Sequence, residues 1–343
     1  MLTVFSSSHH LHHGKELKDG ALTPSFEEPG RADTILRRVR AVGLGNVIAC
    51  RPFGLAHYIG AHSERYVRFL STAWQQWSAG GRTSDALPLV WPVRNMRDDI
   101  EPSVIEGKLG YFSMDAGAPI TAHTWNAVAE SANLALTGAE LVLEGARSAF
   151  ALCRPPGHHA GREYMGGYCY LNNAAIAASH AIAKGARRVA VLDVDFHHGN
   201  GTQDIFYERP DVLTVSIHGD PSVSYPYFSG NADERGSHAG TGFNLNLPLA
   251  KGTDWAAYTQ ALKLACQAVA AHAPDLLVVS LGVDTFENDP ISHFQLKSDD
   301  FSRLGDQIAS IRCPTLFAME GGYMVDEIGI NAVNVLQGFE ARG

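Results

Sequence analysis

The chain has 343 residues, 45% of them hydrophobic, which indicates one large α/β domain or two small ones and excludes a disordered chain. Its 27 basic and 36 acidic residues give a formal charge of −9, which argues against nucleic acid as a partner and suits a cationic ligand. A short, uncharged N-terminus and the lack of a long apolar run predict neither a signal peptide nor a membrane span. The scattered cysteines predict reduced thiols in a cytoplasmic protein: Cys50, Cys153, Cys169, Cys266 and Cys313.

Apolar strands alternate with helices from one end of the chain to the other. The patterns predict strands at 2–5, 46–50, 149–153, 189–192, 212–216, 276–281 and 315–319. They predict helices at 32–42, 64–77, 125–145, 172–183, 254–271 and 327–339. This alternation favours an α/β fold with a single doubly wound, mostly parallel sheet, covered by helices on both faces, over the whole of 1–343.

Two segments lack a clear period. Residues 6–15 contain His9, His10, His12 and His13 and suggest a metal site, but no second ligand cluster accompanies them, so we expect an exposed loop. Residues 80–121 contain four prolines and several glycines. An insertion of this length inside a compact domain is usually functional, as a lid or a contact surface.

The most informative stretch is 188–202, where a buried apolar strand ends in carboxylates and imidazoles. Asp193, Asp195 and His197 alternate along the strand direction, so their side chains can share one face. Buried charge is costly unless it is neutralised, and a divalent metal is the simplest neutraliser. A solvated strand end with a helix cap and a turn is the alternative at this point.

Other predicted strands also end in reactive side chains. Adjacent His158 and His159 follow the strand at 149–153 on a rigid Pro/Gly turn, Asp284 follows 276–281, and Tyr323 follows 315–319. In doubly wound sheets, ligands bind beyond the carboxyl ends of the strands. The coincidence of four such ends therefore predicts one site.

These residue types suit metal-assisted hydrolysis. Asp195, His197 and Asp284 offer three ligands and leave a coordination position open for water, as in catalytic zinc sites. His158 and His159 are the candidates for proton transfer.

Hydrogen-bond partners for the two histidines and a donor to the oxyanion complete the predicted chemistry. Asp193 can hold one imidazole and Asn200 the other. The Tyr323 hydroxyl can stabilise an oxyanion. Core histidines and a half-buried tyrosine are the alternatives for these positions.

Four motifs resemble the arginase/deacetylase fold in its histone-deacetylase-like branch. They are Arg154-Pro-Pro-Gly-His-His-Ala-Gly161, Asp193-Val-Asp-Phe-His-His-Gly-Asn-Gly-Thr-Gln203, Ser280-Leu-Gly-Val-Asp284 and Glu320-Gly-Gly-Tyr323. The likeness covers about 149–339. Within this branch, the stretches 149–159, 201–209 and 282–292 and the long insertion are similar to bacterial acetylpolyamine amidohydrolases.

The resemblance implies an activity and its ions. It implies Zn²⁺, with Fe²⁺ or Co²⁺ as alternatives, on the three predicted ligands, His159 as general base, His158 as its electrostatic or acid partner, and Tyr323 on the substrate carbonyl. It implies Tyr168 and Tyr225 as the aromatic walls of the substrate tunnel. It also implies a structural K⁺ at Asp193, Asp195, His197, Ser216 and the Ile217 carbonyl.

The resemblance further implies that the insertion pairs two subunits into a homodimer and narrows the mouth of the site. Glu106 matches an acid that attracts the distal ammonium of the substrate. Some family members carry a second acid where this chain has Gly117, and Asp115 is the candidate substitute.

Three functions are therefore compared. The first is an amidohydrolase that releases acetate from small acetylated polyamines such as acetylputrescine and acetylcadaverine. The second is a protein acetyl-lysine deacetylase. The third, a metal-bound binding protein without activity, predicts the loss of a reactive residue, yet His158, His159 and Tyr323 are all present.

Overall fold

The computed structural model describes residues 1–342, and that part of the chain contains ten strands. They are β1 (Leu2–Val4), β2 (Lys15–Lys18), β3 (Ala21–Pro24), β4 (Val47–Ile48), β5 (Ser148–Ala151), β6 (Val189–Asp193), β7 (Val212–Gly219), β8 (Asn244–Leu249), β9 (Leu276–Leu281) and β10 (Thr315–Met319). Eight of them form one sheet in the order β4-β1-β5-β10-β9-β6-β7-β8, and β2 and β3 form a separate hairpin. Every neighbouring pair in the large sheet is parallel, which confirms the predicted fold class.

Nine α-helices accompany the strands within residues 1–342. They are α1 (Pro29–Ala41), α2 (Glu64–Ser78), α3 (Ile105–Tyr111), α4 (Thr124–Leu143), α5 (Asn173–Ala183), α6 (Asn200–Phe206), α7 (Trp255–His272), α8 (Ser298–Ala309) and α9 (Ile328–Ala341). Helices α4, α5 and α7 pack directly against strands of the sheet, and α8 packs on α9. None of the helices within 1–342 has both the length and the apolar character needed to cross a bilayer.

The central strands are buried along their whole length. Every residue of β5, β6, β7, β9 and β10 is buried, as expected for parallel strands covered on both faces. Their side chains join those of the helices in one hydrophobic cluster that extends from Val4 to Phe339. The five cysteines are free thiols, in agreement with their scattered positions.

The structure corrects two predictions. The His-rich segment is not an exposed loop, because Ser7–Leu11 forms a short 3₁₀ helix, with His9 and then His12 buried. Ser6 caps this helix by accepting a hydrogen bond from the Ser8 amide. The insertion at 80–121 is not wholly irregular, because it contains α3.

Besides α3, the elements outside the predictions include the β2–β3 hairpin, α6, β8 and α8. The hairpin turns at Asp19 and Gly20, which both have positive φ, as the tight turn of a two-residue hairpin requires. This Asp-Gly pair is the sequence signal that identifies such a hairpin. The hairpin matters because it carries a residue of the site.

Candidate active site

The four predicted reactive segments meet at one edge of the sheet. They follow β5, β6, β9 and β10, which stand side by side in the order β5-β10-β9-β6. Asp193, the last residue of β6, is in register with Ser280 of β9 on one side and Ser216 of β7 on the other. The parallel topology therefore places residues that are far apart in sequence beyond the same carboxyl edge.

Asp195, His197 and Asp284 form a buried cluster at this edge. Each offers a ligand atom within 4.8 Å of the others. His197 Nδ1 lies 3.2 Å from an Asp195 oxygen and 3.0 Å from an Asp284 oxygen. Two carboxylates and one imidazole form a mixed O/N donor set of the kind that binds a catalytic divalent metal.

Glycines give the two carboxylates the space they occupy. A Cβ atom on Gly321 would meet Oδ2 of both Asp195 and Asp284, and a Cβ on Gly282 would overlap the Asp195 carboxylate. The Gly321 amide instead donates to Asp195 Oδ2 over 2.8 Å, and the Phe196 amide donates to Asp284 Oδ1 over the same distance. The backbone thus fixes the orientation of both carboxylates before any ligand binds.

The two buried carboxylates of the cluster would be stabilised by a bound cation. Burial and then the neighbouring Asp195 charge raise the pKa of Asp284 to about 7. Although burial opposes ionisation of Asp195, His158 and His197 hold the pKa of Asp195 below its usual range. Two carboxylates forced together in a dry site repel each other, and a divalent ion removes that repulsion. The residues therefore fit the metal that the resemblance implies.

His158 is held by carboxylates. Its Nδ1 lies 2.9 Å from Asp193 Oδ2, and its Nε2 lies 3.8 Å from Asp195 Oδ1. Burial favours the neutral ring, but the charges of Asp195 and Asp193 raise the pKa of His158 well above its usual value. His158 is consequently the charged member of the histidine pair.

His159 has the opposite environment. Its Nδ1 lies 2.7 Å from Asn200 Oδ1, so it donates its proton to a neutral amide, and Nε2 keeps the lone pair. The Asn200 amide group donates to Tyr164 Oη, which fixes the direction of its oxygen. Burial, and then the positive charge expected on His158, lower the pKa of His159 well below its usual value. A neutral imidazole with a free Nε2 is the form that accepts a proton.

Tyr323 is oriented from three directions. Its backbone amide donates to Asp289 Oδ2 over 2.8 Å. The Arg31 guanidinium lies 4.7 Å from the centre of its ring, and the Tyr168 ring lies 5.6 Å away, centre to centre. Burial raises the pKa of the Tyr323 hydroxyl well above its usual value, so the hydroxyl keeps its proton and can donate a hydrogen bond.

A cavity of about 330 Å³ opens onto this cluster. Its size is at the low end of the range for small-molecule sites. Tyr168 and Tyr225 line it, together with His159, His197 and Tyr323. The remaining lining residues are Glu16, Leu17, Asp115, Ala116, Gly117, Gly167 and Ile291, so neither lysine nor arginine from residues 1–342 faces the cavity.

The predicted acids of the insertion lie in different places. Glu106 is exposed, pairs with Arg82 and does not line the cavity formed by this chain. Asp115 lines the cavity, but its carboxylate accepts from the Tyr225 hydroxyl and from the amides of Gly117 and Gly167. Asp115 therefore positions an aromatic wall, and its oxygens are already engaged.

Glu16 is the site residue that the sequence interpretation missed. It lies on β2, is buried, and its Oε2 accepts from the Tyr168 hydroxyl. It lines the same cavity as Gly117, the position where some family members carry an acid. A second omission is Glu320, whose buried carboxylate accepts from the amides of Gly157 and His158 and so fixes the histidine turn.

The residues of the implied K⁺ site are adjacent in the structure. Asp193 and Ser216 are register partners on β6 and β7, and Ile217 follows on β7. Ser216 Oγ lies 2.8 Å from His218 Nδ1. These residues lie close to Asp195 and His197 on the same sheet edge.

The parallel sheet and the buried Asp–His–Asp cluster define a hydrolase of the deacetylase type. The family model described as the histone deacetylase domain matches residues 25–339, and the chain belongs to that family. A crystal structure of acetylpolyamine aminohydrolase from Burkholderia pseudomallei superposes with a TM-score of 0.94 at 40% identity, over 100% of this chain and 99% of the other.

Among curated proteins, the chain is similar to two from Pseudomonas aeruginosa. It is 61% identical to acetylpolyamine amidohydrolase 2 over 341 residues and 58% identical to acetylpolyamine amidohydrolase 1 over 342 residues. Each match covers 99% of this chain and 99% of the relative. The resemblance predicted from the motifs is confirmed, and it extends over nearly the whole chain.

A buried ionic network of Glu27, Arg31 and Arg154 holds the segments of the site together. Glu27 Oε1 lies 2.8 Å from Arg31 Nη1 and 2.8 Å from Arg154 Nε. Arg31 donates in turn to the carbonyl oxygens of Gly322 and Glu320. The network thus joins α1, the histidine turn and the Tyr323 loop.

We expect Glu27→Gln to destabilise the protein, because two buried guanidinium groups would face each other without their shared counter-charge. The free energy of unfolding should fall by about 3–5 kcal/mol. Chemical denaturation measures this, with Glu28→Gln as the matched control, since Glu28 is exposed and next in the chain. Equal stability of the two variants would contradict the role given to the network.

Proposed function

We propose that this chain is a metal-dependent amidohydrolase, formed as a single catalytic domain, that removes acetyl groups from small acetylated polyamines. The observation that carries the proposal is a buried Asp–His–Asp cluster at a small cavity whose wall contains carboxylates and tyrosines but, within residues 1–342, neither lysine nor arginine. The names of the similar proteins give the same substrate class.

The metal would be held by Asp195, His197 and Asp284, and Zn²⁺ is the ion that this donor set favours, with Fe²⁺ or Co²⁺ as alternatives. When bound, such an ion polarises an acyl oxygen and lowers the pKa of a water molecule.

The chain's own residues would then manage the proton and the developing charge. His159 Nε2 accepts a proton from the attacking water, because Nδ1–H is held by Asn200. The Tyr323 hydroxyl donates a hydrogen bond to the acetyl oxygen as negative charge develops there. The water oxygen forms a bond to the acetyl carbon, the protonated His159 gives its proton to the amide nitrogen, and the C–N bond breaks. The products are acetic acid and a primary amine, which become acetate and an ammonium ion near pH 7.

His158 acts on His159 without facing the cavity. The two ring centres lie 4.0 Å apart, and Asp193 and Asp195 favour the charged form of His158. A cation at this distance keeps the resting His159 neutral. It also contributes positive charge near the site where the oxyanion forms.

Within a single chain, Glu16 is the residue that would bind the distal ammonium of the substrate. Its carboxylate faces the cavity and is oriented by the Tyr168 hydroxyl. A partly desolvated carboxylate interacts with an ammonium more strongly than an exposed one does. Glu106 contributes at the mouth if a partner subunit brings its own insertion to the same cavity.

We also propose that the insertion pairs two chains into a homodimer. It exposes an apolar set that a monomer has no reason to keep in water, namely Leu89, Val90, Val93, Met96, Ile100 and Val104. Leu89 is 91% exposed. Light scattering on the wild-type protein measures its oligomeric state directly.

The remaining proposals concern a second ion and location. Asp193, Asp195, His197, Ser216 and the Ile217 carbonyl would bind a structural K⁺ that balances the carboxylates beneath the catalytic cluster. The free thiols suit the reducing cytoplasm. The acidic net charge, and a cavity that neither lysine nor arginine from residues 1–342 lines, do not favour nucleic acid as a partner.

A protein acetyl-lysine deacetylase is the second candidate, because the histone deacetylase domain matches most of the chain. An acetyl-lysine side chain would enter the same cavity. The two candidates differ in what lies beyond the amide: a free ammonium that Glu16 can pair with, or a peptide backbone that must fit the cavity mouth.

Metal removal tests the chemistry. Chelation should abolish turnover because three convergent ligands would no longer hold an electrophile, and added Zn²⁺ or Co²⁺ should restore it. Circular dichroism before and after chelation should show the fold retained. Undiminished turnover in protein that elemental analysis shows to be metal-free would contradict the proposal.

Substitutions test the proton and oxyanion roles. His159→Ala and Tyr323→Phe should each lower kcat by about 100-fold or more, the scale for a lost general base or oxyanion donor. Tyr323→Phe should leave KM nearly unchanged, because the hydroxyl acts mainly in the transition state. Steady-state kinetics with His13→Ala, an exposed histidine away from the cavity, as control measure this. A near-normal kcat in both variants would end the assignment.

A charge-selectivity assay tests the substrate. The wild-type enzyme should prefer N-acetylputrescine and N-acetylcadaverine to an acetyl-lysine peptide, and N-acetylputrescine to the neutral N-butylacetamide. Glu16→Gln keeps an oxygen to accept from Tyr168 but loses the charge, so it should lower kcat/KM for N-acetylputrescine about ten-fold. The neutral amide should be nearly unaffected.

The same assay is run on Glu106→Gln, which tests the acid of the insertion, and on Glu28→Gln, which serves as the control. A selective loss in Glu106→Gln alone would move the ammonium site to the insertion. If the wild-type enzyme prefers the peptide, the lysine-deacetylase function takes the place of the proposed one.

A further inference from the structure

The His-rich segment near the N-terminus assembles a cluster that the active site does not use. The 3₁₀ helix Ser7–Leu11 lies against α1, and this contact places His9 and His10 on either oxygen of the Asp33 carboxylate. His9 Nε2 lies 3.5 Å from Asp33 Oδ1, and His10 Nε2 lies 2.9 Å from Asp33 Oδ2. One ligand atom from each of the three residues lies within 4.8 Å of the others.

His9 is a buried imidazole without a hydrogen-bond partner. It is 3% exposed, and neither of its ring nitrogens has a partner among residues 1–342. A buried polar atom that is left unsatisfied is costly, and native structures rarely retain one without a reason. Burial, and then the neighbouring His10 and Arg154, lower the pKa of His9 to about 4, so the ring is neutral near pH 7. Neutral imidazole is the form that binds metals.

His10 is oriented for the same purpose. Its Nδ1 lies 3.1 Å from the Ser7 carbonyl oxygen, to which it donates, and this contact directs Nε2 toward Asp33. A hydrogen bond from the second ring nitrogen to a backbone carbonyl is the usual support of a metal-binding histidine. The segment itself is anchored, because Arg154 donates to the carbonyl oxygens of both His9 and His12.

We propose that His9, His10 and Asp33 form a second metal site, which takes a divalent transition ion of the Zn²⁺ or Cu²⁺ class. Two imidazole nitrogens and one carboxylate oxygen suit these ions, whose ligands lie at about 2.0–2.2 Å. His10 and Asp33 are partly exposed, which gives the ion an entry path and leaves a position for water. None of the three residues lines the catalytic cavity, so this site is distinct from the cluster at Asp195.

A simple ion pair is the competing explanation. A protonated His10 would donate to both Ser7 and Asp33, and it would need no metal. It gives no partner to the buried nitrogens of His9, however, because 3.5 Å from Asp33 does not constitute a hydrogen bond. A metal ion would bind one of these His9 nitrogens together with His10 and Asp33.

The test uses holoenzyme whose catalytic site is already filled with Zn²⁺. Calorimetric titration with Zn²⁺, and separately with Cu²⁺, should show one further equivalent per chain. His10→Ala and Asp33→Asn, both at partly exposed side chains, should weaken this equivalent about ten-fold or more. His13→Ala, an exposed histidine of the same segment, should leave it unchanged.

Electron paramagnetic resonance of the Cu²⁺ adduct gives a readout independent of activity. Hyperfine coupling to two imidazole nitrogens should fall to one in His10→Ala, while elemental analysis shows that the catalytic Zn²⁺ is retained. The proposal is overturned if no further equivalent binds, if His10→Ala and Asp33→Asn bind it as the wild type does, or if His13→Ala weakens it equally.

Discussion

The structure depends on burying several carboxylates at one edge of its sheet. Asp193, Asp195, Asp284 and Glu320 are all at most 2% exposed, and they lie beyond neighbouring strands. Such groups ionise only where positive charge or amide donors compensate them. The protein supplies histidines and oriented backbone amides for this purpose. Much of the surrounding architecture can be understood as what holds these four side chains in place.

This constraint explains why two adjacent histidines behave differently. His158 is bound by a carboxylate and His159 by a neutral amide, so one ring is charged and the other is not. Residues of the same type at consecutive positions thus acquire different protonation states from their partners alone. Asp195 adds to the effect of Asp193 on His158, so the division of roles comes from the neighbouring residues rather than from the histidines themselves.

The sequence predicts the catalytic half of the molecule well. Buried parallel strands are recognisable because their residues are almost uniformly apolar, and the reactive motifs begin where those runs end. The predictions failed where such a signal is weak. Strand β8 is a partly exposed edge strand with asparagines at 244 and 246. Helix α6 is short and contains Gly201, which is unfavourable in a helix. Helix α8 is the exception, because it is amphipathic and carries Phe301, Leu304 and Ile308 at a spacing that does indicate a helix.

Tertiary contacts explain the remaining errors. Glu16 lies on a separate hairpin and lines the cavity, and its contact with Tyr168 joins residues 152 positions apart. No local pattern around Glu16 predicts that distance. The burial of His9 and His12 has the same origin, since their carbonyls bind Arg154, which lies beyond β5.

These contacts divide the chain into two parts with different tasks. The reactive groups come from residues after 148, which follow the central strands, whereas Glu16, Arg31, Asp115 and the exposed apolar set of the insertion precede them. The first part supplies the reactive groups and the tyrosines at 168 and 225 in the cavity wall. The second adds the carboxylates of Glu16 and Asp115 to that wall and holds the Tyr323 loop through Arg31. Arg31 connects the two, because it stacks on the Tyr323 ring and donates to the backbone on either side of Gly321. Relatives that keep the motifs after 148 but differ before it should therefore share the reaction and differ in substrate, and the N-terminal hairpin is where such a difference would arise at the least cost to the sheet.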